Sequence, residues 1–233
     1  MKILAVECSA VSASAAITDG NKIIASAFVN VKLTHSQTLM PMVRSVLDSS
    51  LTNIDDIDAI AVSCGPGSFT GIRIGISAAK GLATPNDLPC IAVSSLFCMA
   101  QNFIGSDCVV CAVMDARCNQ VYNALFRVQG QVIERLCEDR ASLCDELASE
   151  LRNFENESIV ICGDGADMFC KYVSESKNIK LAPEHLKYQN AVGVALCGAD
   201  MFNENKTTSK EKLLPIYLRL PQAERELKAK AQK

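Results

Sequence analysis

GPGSFTGIRIGISAAKGLA, residues 65–83, is the most informative segment of this chain. It opens on a tight Gly65-Pro66-Gly67 turn and passes through Ser68, a residue type that caps helices by accepting from first-turn amides. From there to Ala83 the periodicity is helical. At 100° per residue, Gly71, Gly75, Ala78 and Leu82 fall on one face, and Ile72, Ile76, Ala79 and Ala83 on its neighbour. Arg73, Ser77 and Lys80 leave only a narrow polar stripe. A helix that is apolar on two faces is buried on two sides. The Ile face covers the helix's own sheet. The small-residue face admits a second backbone at close range, from this chain or from a partner, and periodicity alone does not choose between them. Free amides at the helix start are suited to an anion, but no Gly-Lys-Ser/Thr follows, so this is not a Walker loop.

Outward from this block, strands and helices alternate. Residues 2–6 (KILAV) are a short apolar strand, 12–18 alternate small and apolar, and Asp19-Gly20 turns into a third strand, NKIIASAFV. A helix is predicted from Ser36 to about Leu51, with Leu39, Val43, Val46 and Leu47 on one arc. Strands at 58–63 and 90–93 bracket the 65–83 block, and Ser94 or Ser95 caps a further helix. The order then restarts. CVVCAVMD (108–115) ends in an acid as ILAVE (3–7) does; QVYNALFRV, a turn at Gly130 and QVIERL follow; then comes a helix over 141–152. SIVICGDG (158–165) mirrors DAIAVSCGPG (58–67) in kind. Two copies of β-β-β-α-β-α in 233 residues predict a duplicated α/β protein of two lobes, 1–104 and 105–212. The tail from 213 reads as a short extended piece and then a charged helix from a proline.

Composition narrows the function classes. Hydrophobic residues make up 49% and charged residues 21%, as in a globular chain. No run approaches the ~18 apolar residues of a membrane span, and MKILAVECSA lacks the apolar core of a secretory signal, so a cytoplasmic product is expected. A net charge of -3 and few aromatics argue against an autonomous grip on a phosphate backbone. The twelve cysteines lie mostly in apolar runs and are expected as core thiols. Cys108 and Cys111 stand three apart on a strand, point to opposite faces, and cannot clamp a metal together.

No catalytic constellation emerges. His35, ahead of the first long helix, has Leu39 one turn on, where a two-histidine metal site would need a second ligand. Glu7 and Asp115 close the first strand of each repeat, where nucleotide-binding proteins of comparable design hold metal and water. Their following turns, Cys8-Ser9-Ala10 and Ala116-Arg117-Cys118, carry no glycine to admit a phosphate. Glu7, Asp115, Gly163 and Gly165 are therefore expected to mark at most a vestigial nucleotide site.

Taken together, VECSAVSASAAI, THSQTLMPMV, the 65–83 block, MDARCNQVYNALF, ICGDGA and LPIYLRLPQAE resemble the TsaB (YeaZ) family across almost the whole chain. These are the small paralogues of the TsaD threonylcarbamoyltransferase. The resemblance implies a duplicated actin-like/RNase H-like (ASKHA) fold whose C-terminal helix, 213–233, returns to the first lobe. It implies a non-catalytic subunit that pairs with TsaD, works with the ATPase TsaE, and meets tRNA only within the complex. Threonylcarbamoyl transfer to an adenosine beside the anticodon is the outcome. The expected interface residues are Leu39, Val43, Val46, Gly71, Ile74, Gly75, Ala78 and Leu82, with a homodimer in isolation as the related expectation. TsaD carries a second histidine where this chain has Leu39, so neither catalysis nor a metal carries over. No cofactor is expected beyond an ATP or ADP at the TsaD junction. Where the family has Asp in a DTS-like start, this chain has Glu7. A glycoprotease-type metallopeptidase and an ATP-dependent kinase-like enzyme are the rival readings.

Overall fold

A computed structural model describes residues 1–174 and 176–219. Strands β1 (Lys2–Glu7), β2 (Ala13–Asp19) and β3 (Lys22–Val29) are followed by helix α1 (His35–Ser49), β4 (Ala59–Gly65), α2 (Phe69–Ala83), β5 (Cys90–Ser94) and α3 (Ser95–Ala100). The second half continues with β6 (Asp107–Asp115), β7 (Gln120–Gln129), β8 (Val132–Arg135), β9 (Arg140–Leu143), α4 (Cys144–Leu151), β10 (Ile159–Cys162), α5 (Ala166–Phe169), β11 (Ile179–Leu181), α6 (Glu184–Lys187) and α7 (Ala191–Asn203).

Duplication is written in the strand order. The first sheet runs β3-β2-β1-β4-β5 and the second β8-β7-β6-β10-β11, with β9 also paired to β7. In each, the first strand of the half is antiparallel to the next strand and parallel to the one reached through a helical connection. This is the duplicated actin-like α/β arrangement.

Alternation along the strands sorts the core into layers. On β1, Leu4 and Val6 face a cluster with Val43, Val46, Ile72 and Ile76 of α1 and α2, while Ile3 and Ala5 face α7. On β6, Val110 and Ala112 join that same inner cluster, while Val109, Cys111 and Val113 face α4 and α5. The order of layers is α1/α2, first sheet, α3/α7, second sheet, α4/α5. The first sheet is built from β1–β5 and the second from β6–β11, yet the middle layer mixes the two parts of the chain: α7, which follows β11, packs directly on the first sheet.

Several sequence expectations need correction. Residues 141–143, expected as the start of a helix, belong to β9 instead, because Arg140–Leu143 pairs with Gln120–Asn123; the helix begins at Cys144. Residues Glu184–Lys187 form the single turn α6. Of the 213–233 tail, residues 213–219 form neither helix nor strand, and the expected charged helix lies outside the described residues. Cys108 and Cys111 sit in different clusters on opposite sheet faces, as strand parity requires. Among the described residues no helix is long and apolar enough to cross a membrane.

Candidate functional site

Helices α1 and α2 lie side by side on the outer face of the first sheet. Ser68 caps α2, its hydroxyl accepting from the Gly71 amide at 3.2 Å. At the start of α1, His35 Nε2 donates to the Ala10 carbonyl at 2.7 Å and ties the helix to the loop after β1. Its Nδ1 is buried and has no hydrogen-bond partner among the described residues. His35 thus acts structurally, and Leu39, 1% exposed, fills the core one turn later.

The small face of α2 turns inward. Gly71 and Gly75 are buried against the end of β1 and against β4: a Cβ on Gly71 would overlap the Cys8 carbonyl oxygen, and one on Gly75 would stand 3.0 Å from Cys8 Sγ and 3.4 Å from Val62. Leu39, Val43 and Val46 belong to the same intramolecular core. These five of the expected interface residues are therefore consumed inside the chain. The close backbone approach that helical periodicity left open, to this chain or to a partner, is made at Gly71 and Gly75 by Cys8 of the chain itself. Ile74, Ala78 and Leu82 remain half-buried.

What α1 and α2 leave open is a groove of about 600 Å³ lined by His35, Leu39, Met40, Phe69, Arg73, Ile74 and Ala78 among others. Met40 is 45% exposed, and Val31 and Leu33, in the loop entering α1, are 48% and 58% exposed. Apolar side chains gathered at this exposure mark a surface suited to cover.

Around the end of α2 lies a cleft of about 420 Å³ between the lobes, lined by Ser9, Gly67, Ser68, Asp115, Arg117, Tyr122, Asp164 and residues 216–219. Its acids are unequal. Glu7 lies beneath the surface, wholly buried, and burial pushes its carboxyl up; the nearby Ser63 hydroxyl and the Ser9 hydroxyl and amide, the last two each 2.6 Å from Oε1, offset this only in part. Asp164 is raised to about 6, chiefly by burial, while Gln189 Nε2 donates to it at 3.1 Å. Asp115 is exposed and accepts from the Arg117 amide at 2.7 Å. The turn Arg117-Cys118-Asn119 achieves three left-handed conformations without glycine. Gly163 and Gly165 press on the backbone of β6 at Val113–Asp115 and do not open toward the cleft. Their small size serves packing between β10 and β6. Of the four expected cleft residues, the structure thus brings Asp115 to the cleft wall, puts Glu7 beneath it, and spends both glycines on the fold.

Residues 29–227 match the family described as TsaD, tRNA N6-adenosine threonylcarbamoyltransferase. The chain is 34% identical to the tRNA threonylcarbamoyladenosine biosynthesis protein TsaB of Escherichia coli K12, over 94% of this chain and 95% of that protein. The chain belongs to the TsaB family. Its Bacillus subtilis relative of the same description is 30% identical over 96% of both chains. The solved structure of YeaZ from Pseudomonas aeruginosa superposes with a TM-score of 0.80, at 26% identity, covering 93% of this chain and 99% of that one. Within a TsaB-family chain, the groove and cleft are the two surfaces on which a function can rest. Sequence reasoning missed three of their residues. Arg73 belongs by its spacing to the polar stripe of the 65–83 helix, Phe69 carries no periodic signal, and Tyr217 is remote in sequence; its being the one aromatic residue in 213–233 was the signal it offered.

Proposed function

We propose that this chain is a non-catalytic assembly subunit in tRNA threonylcarbamoyladenosine biosynthesis, and that it pairs with a TsaD-type transferase through the α1/α2 groove. The observation that carries the proposal is the apolar groove itself, with Met40 exposed at its rim and Ile74 and Ala78 in its wall. Three features support a subunit without chemistry of its own. Leu39 occupies core volume where a second metal-ligating histidine would be needed. Glu7 is sealed from the cleft, and the turns after Glu7 and Asp115 lack glycine. The TsaE ATPase and tRNA then meet this chain within the assembly, in the cytoplasm. A nucleotide, if one is used, sits at the junction with the transferase. In isolation the same apolar groove favours a homodimer.

The test is co-purification with the TsaD-type transferase of the same organism, followed by a tRNA modification assay with and without this chain. Pairing, with modification that depends on the chain, supports the reading. Modification at an equal rate without it, or robust ATP hydrolysis by the pure chain that is lost on changing Asp115, overturns it.

A further inference from the structure

Residues Leu213–Arg219 form a strap across the mouth of the interlobe cleft. Leu213 is fully buried with the α1/α2 core. The Ile216 amide donates to the Cys64 carbonyl at 2.7 Å, and Gly65 lies so close to the Ile216 carbonyl that no side chain fits there. At the far end, the Arg219 guanidinium donates to the Ala116 carbonyl, so the strap reaches the second lobe.

Its middle residue touches the other surface. Tyr217 stacks on Phe69 with ring centroids 4.9 Å apart, and its hydroxyl accepts from Arg73 Nε at 2.8 Å. The Arg73 guanidinium in turn lies 3.9 Å from the Phe69 centroid. Phe69 and Arg73 form part of the groove wall, and Phe69 and Thr70 line the cleft as well. The two surfaces share one wall, and Tyr217 holds it.

We infer that Tyr217 is a latch linking the two sites: seating the strap over the cleft presets the Phe69–Arg73 wall of the groove, so that partner docking and strap seating favour one another. This rests on the docking reading above. An exposed arginine and a half-exposed phenylalanine lose rotamer freedom when a partner covers them, which costs affinity unless they are already fixed. The stack and the hydroxyl bond fix both beforehand. Linkage is reciprocal, so a docked partner must hold the strap down as strongly as the strap aids docking.

The experiment uses the full chain and the TsaD-type transferase of the same organism. Affinity is measured by calorimetry for wild type, Tyr217→Ala and Tyr217→Phe, and hydrogen exchange is followed at the Ile216 amide with and without transferase. The expected result is slower exchange in the complex and a loss of roughly three- to tenfold in affinity for Tyr217→Ala, the scale set by freeing one or two side chains. Tyr217→Phe keeps the stack and loses only the hydroxyl bond, so it should lose about twofold and serves as the second variant. Unchanged or faster exchange at Ile216 on binding, or Tyr217→Ala affinity equal to wild type, overturns the latch while leaving the docking reading intact. A wild-type chain that binds no transferase overturns both.

Discussion

The Cys8 thiol donates to the Gly71 carbonyl across 3.1 Å, joining the end of β1 to the first turn of α2. This bond fixes where α2 lies on the sheet. It also explains why the helix carries small residues on the face that meets β1: the Cys8 backbone and side chain take up the room that side chains would need.

Enlarging that face should therefore destabilise the chain itself, whatever its effect on a partner. Gly71→Ala places a methyl group on a backbone oxygen, and Gly75→Leu forces a branched side chain against Cys8 Sγ and Val62. Overpacking of this kind costs about 1–3 kcal/mol, with the backbone clash at Gly71 at the upper end. Ile76→Ala, which instead empties a buried site, should cost about 2–5 kcal/mol. Urea denaturation of the three variants gives the comparison, and a Gly75→Leu chain as stable as wild type contradicts the inward packing.

Met40 offers the opposite case. It is 45% exposed at the groove rim, so Met40→Asp should leave the unfolding free energy within about 0.5 kcal/mol of wild type. A charge that the docked partner must cover without pairing should weaken binding of the transferase by about 2 kcal/mol or more, a factor of roughly thirty. Calorimetric titration measures this, and unchanged affinity would move the interface off the groove.

Asp164 makes the stability depend on pH in a defined direction. Its carboxyl is raised from 3.8 to about 6 by burial, so the folded chain holds this proton more tightly than the unfolded chain. Stability should then fall as pH rises from about 4 to about 6, because the unfolded state ionises first. Glu7, also pushed up by burial, adds a slope of the same sign. Asp164→Asn should reduce the slope and raise stability at neutral pH. A denaturation series from pH 4 to pH 7 whose slope is identical in the variant would show that Asp164 is solvated.

Thiol reactivity should follow depth. Cys118 is exposed, Cys137 and Cys170 are half-buried, and the other nine cysteines are buried. Burial pushes Cys64 and Cys197 up to about 12, which leaves almost no thiolate at neutral pH. Timed alkylation with mass spectrometry should label Cys118 first and the nine buried thiols only in denaturant. Native disulfides trapped during preparation would contradict this order.

Much of the architecture was legible along the chain. Strand alternation at 3–7 and 108–115, the turn at Gly20 and the cap at Ser68 are local patterns whose physics is complete within a few residues. The repeated element order and the mirrored sheets follow from them, as does the fate of Cys108 and Cys111, since parity on a strand leaves no choice of face. Helical periodicity likewise identified two apolar faces on α2 and assigned Ile72 and Ile76 correctly to the core.

Which backbone fills the second face was beyond that reach. A 3.6-residue period records that Gly71 and Gly75 share a direction, not what stands there, and the occupant is Cys8, more than sixty residues away. The same holds for Tyr217 on Phe69 and Arg73, for α7 on the first sheet, and for Gly163 against Val113. Each contact is selected by the closure of long loops, which local propensity does not encode. Local pattern along the chain was enough for most elements, their order and the family resemblance, but not for β9, whose pairing with β7 is a tertiary contact. Tertiary packing alone decided which small residues serve the chain's own core and which surfaces remain for a partner, because steric fit exists only once distant backbones have met.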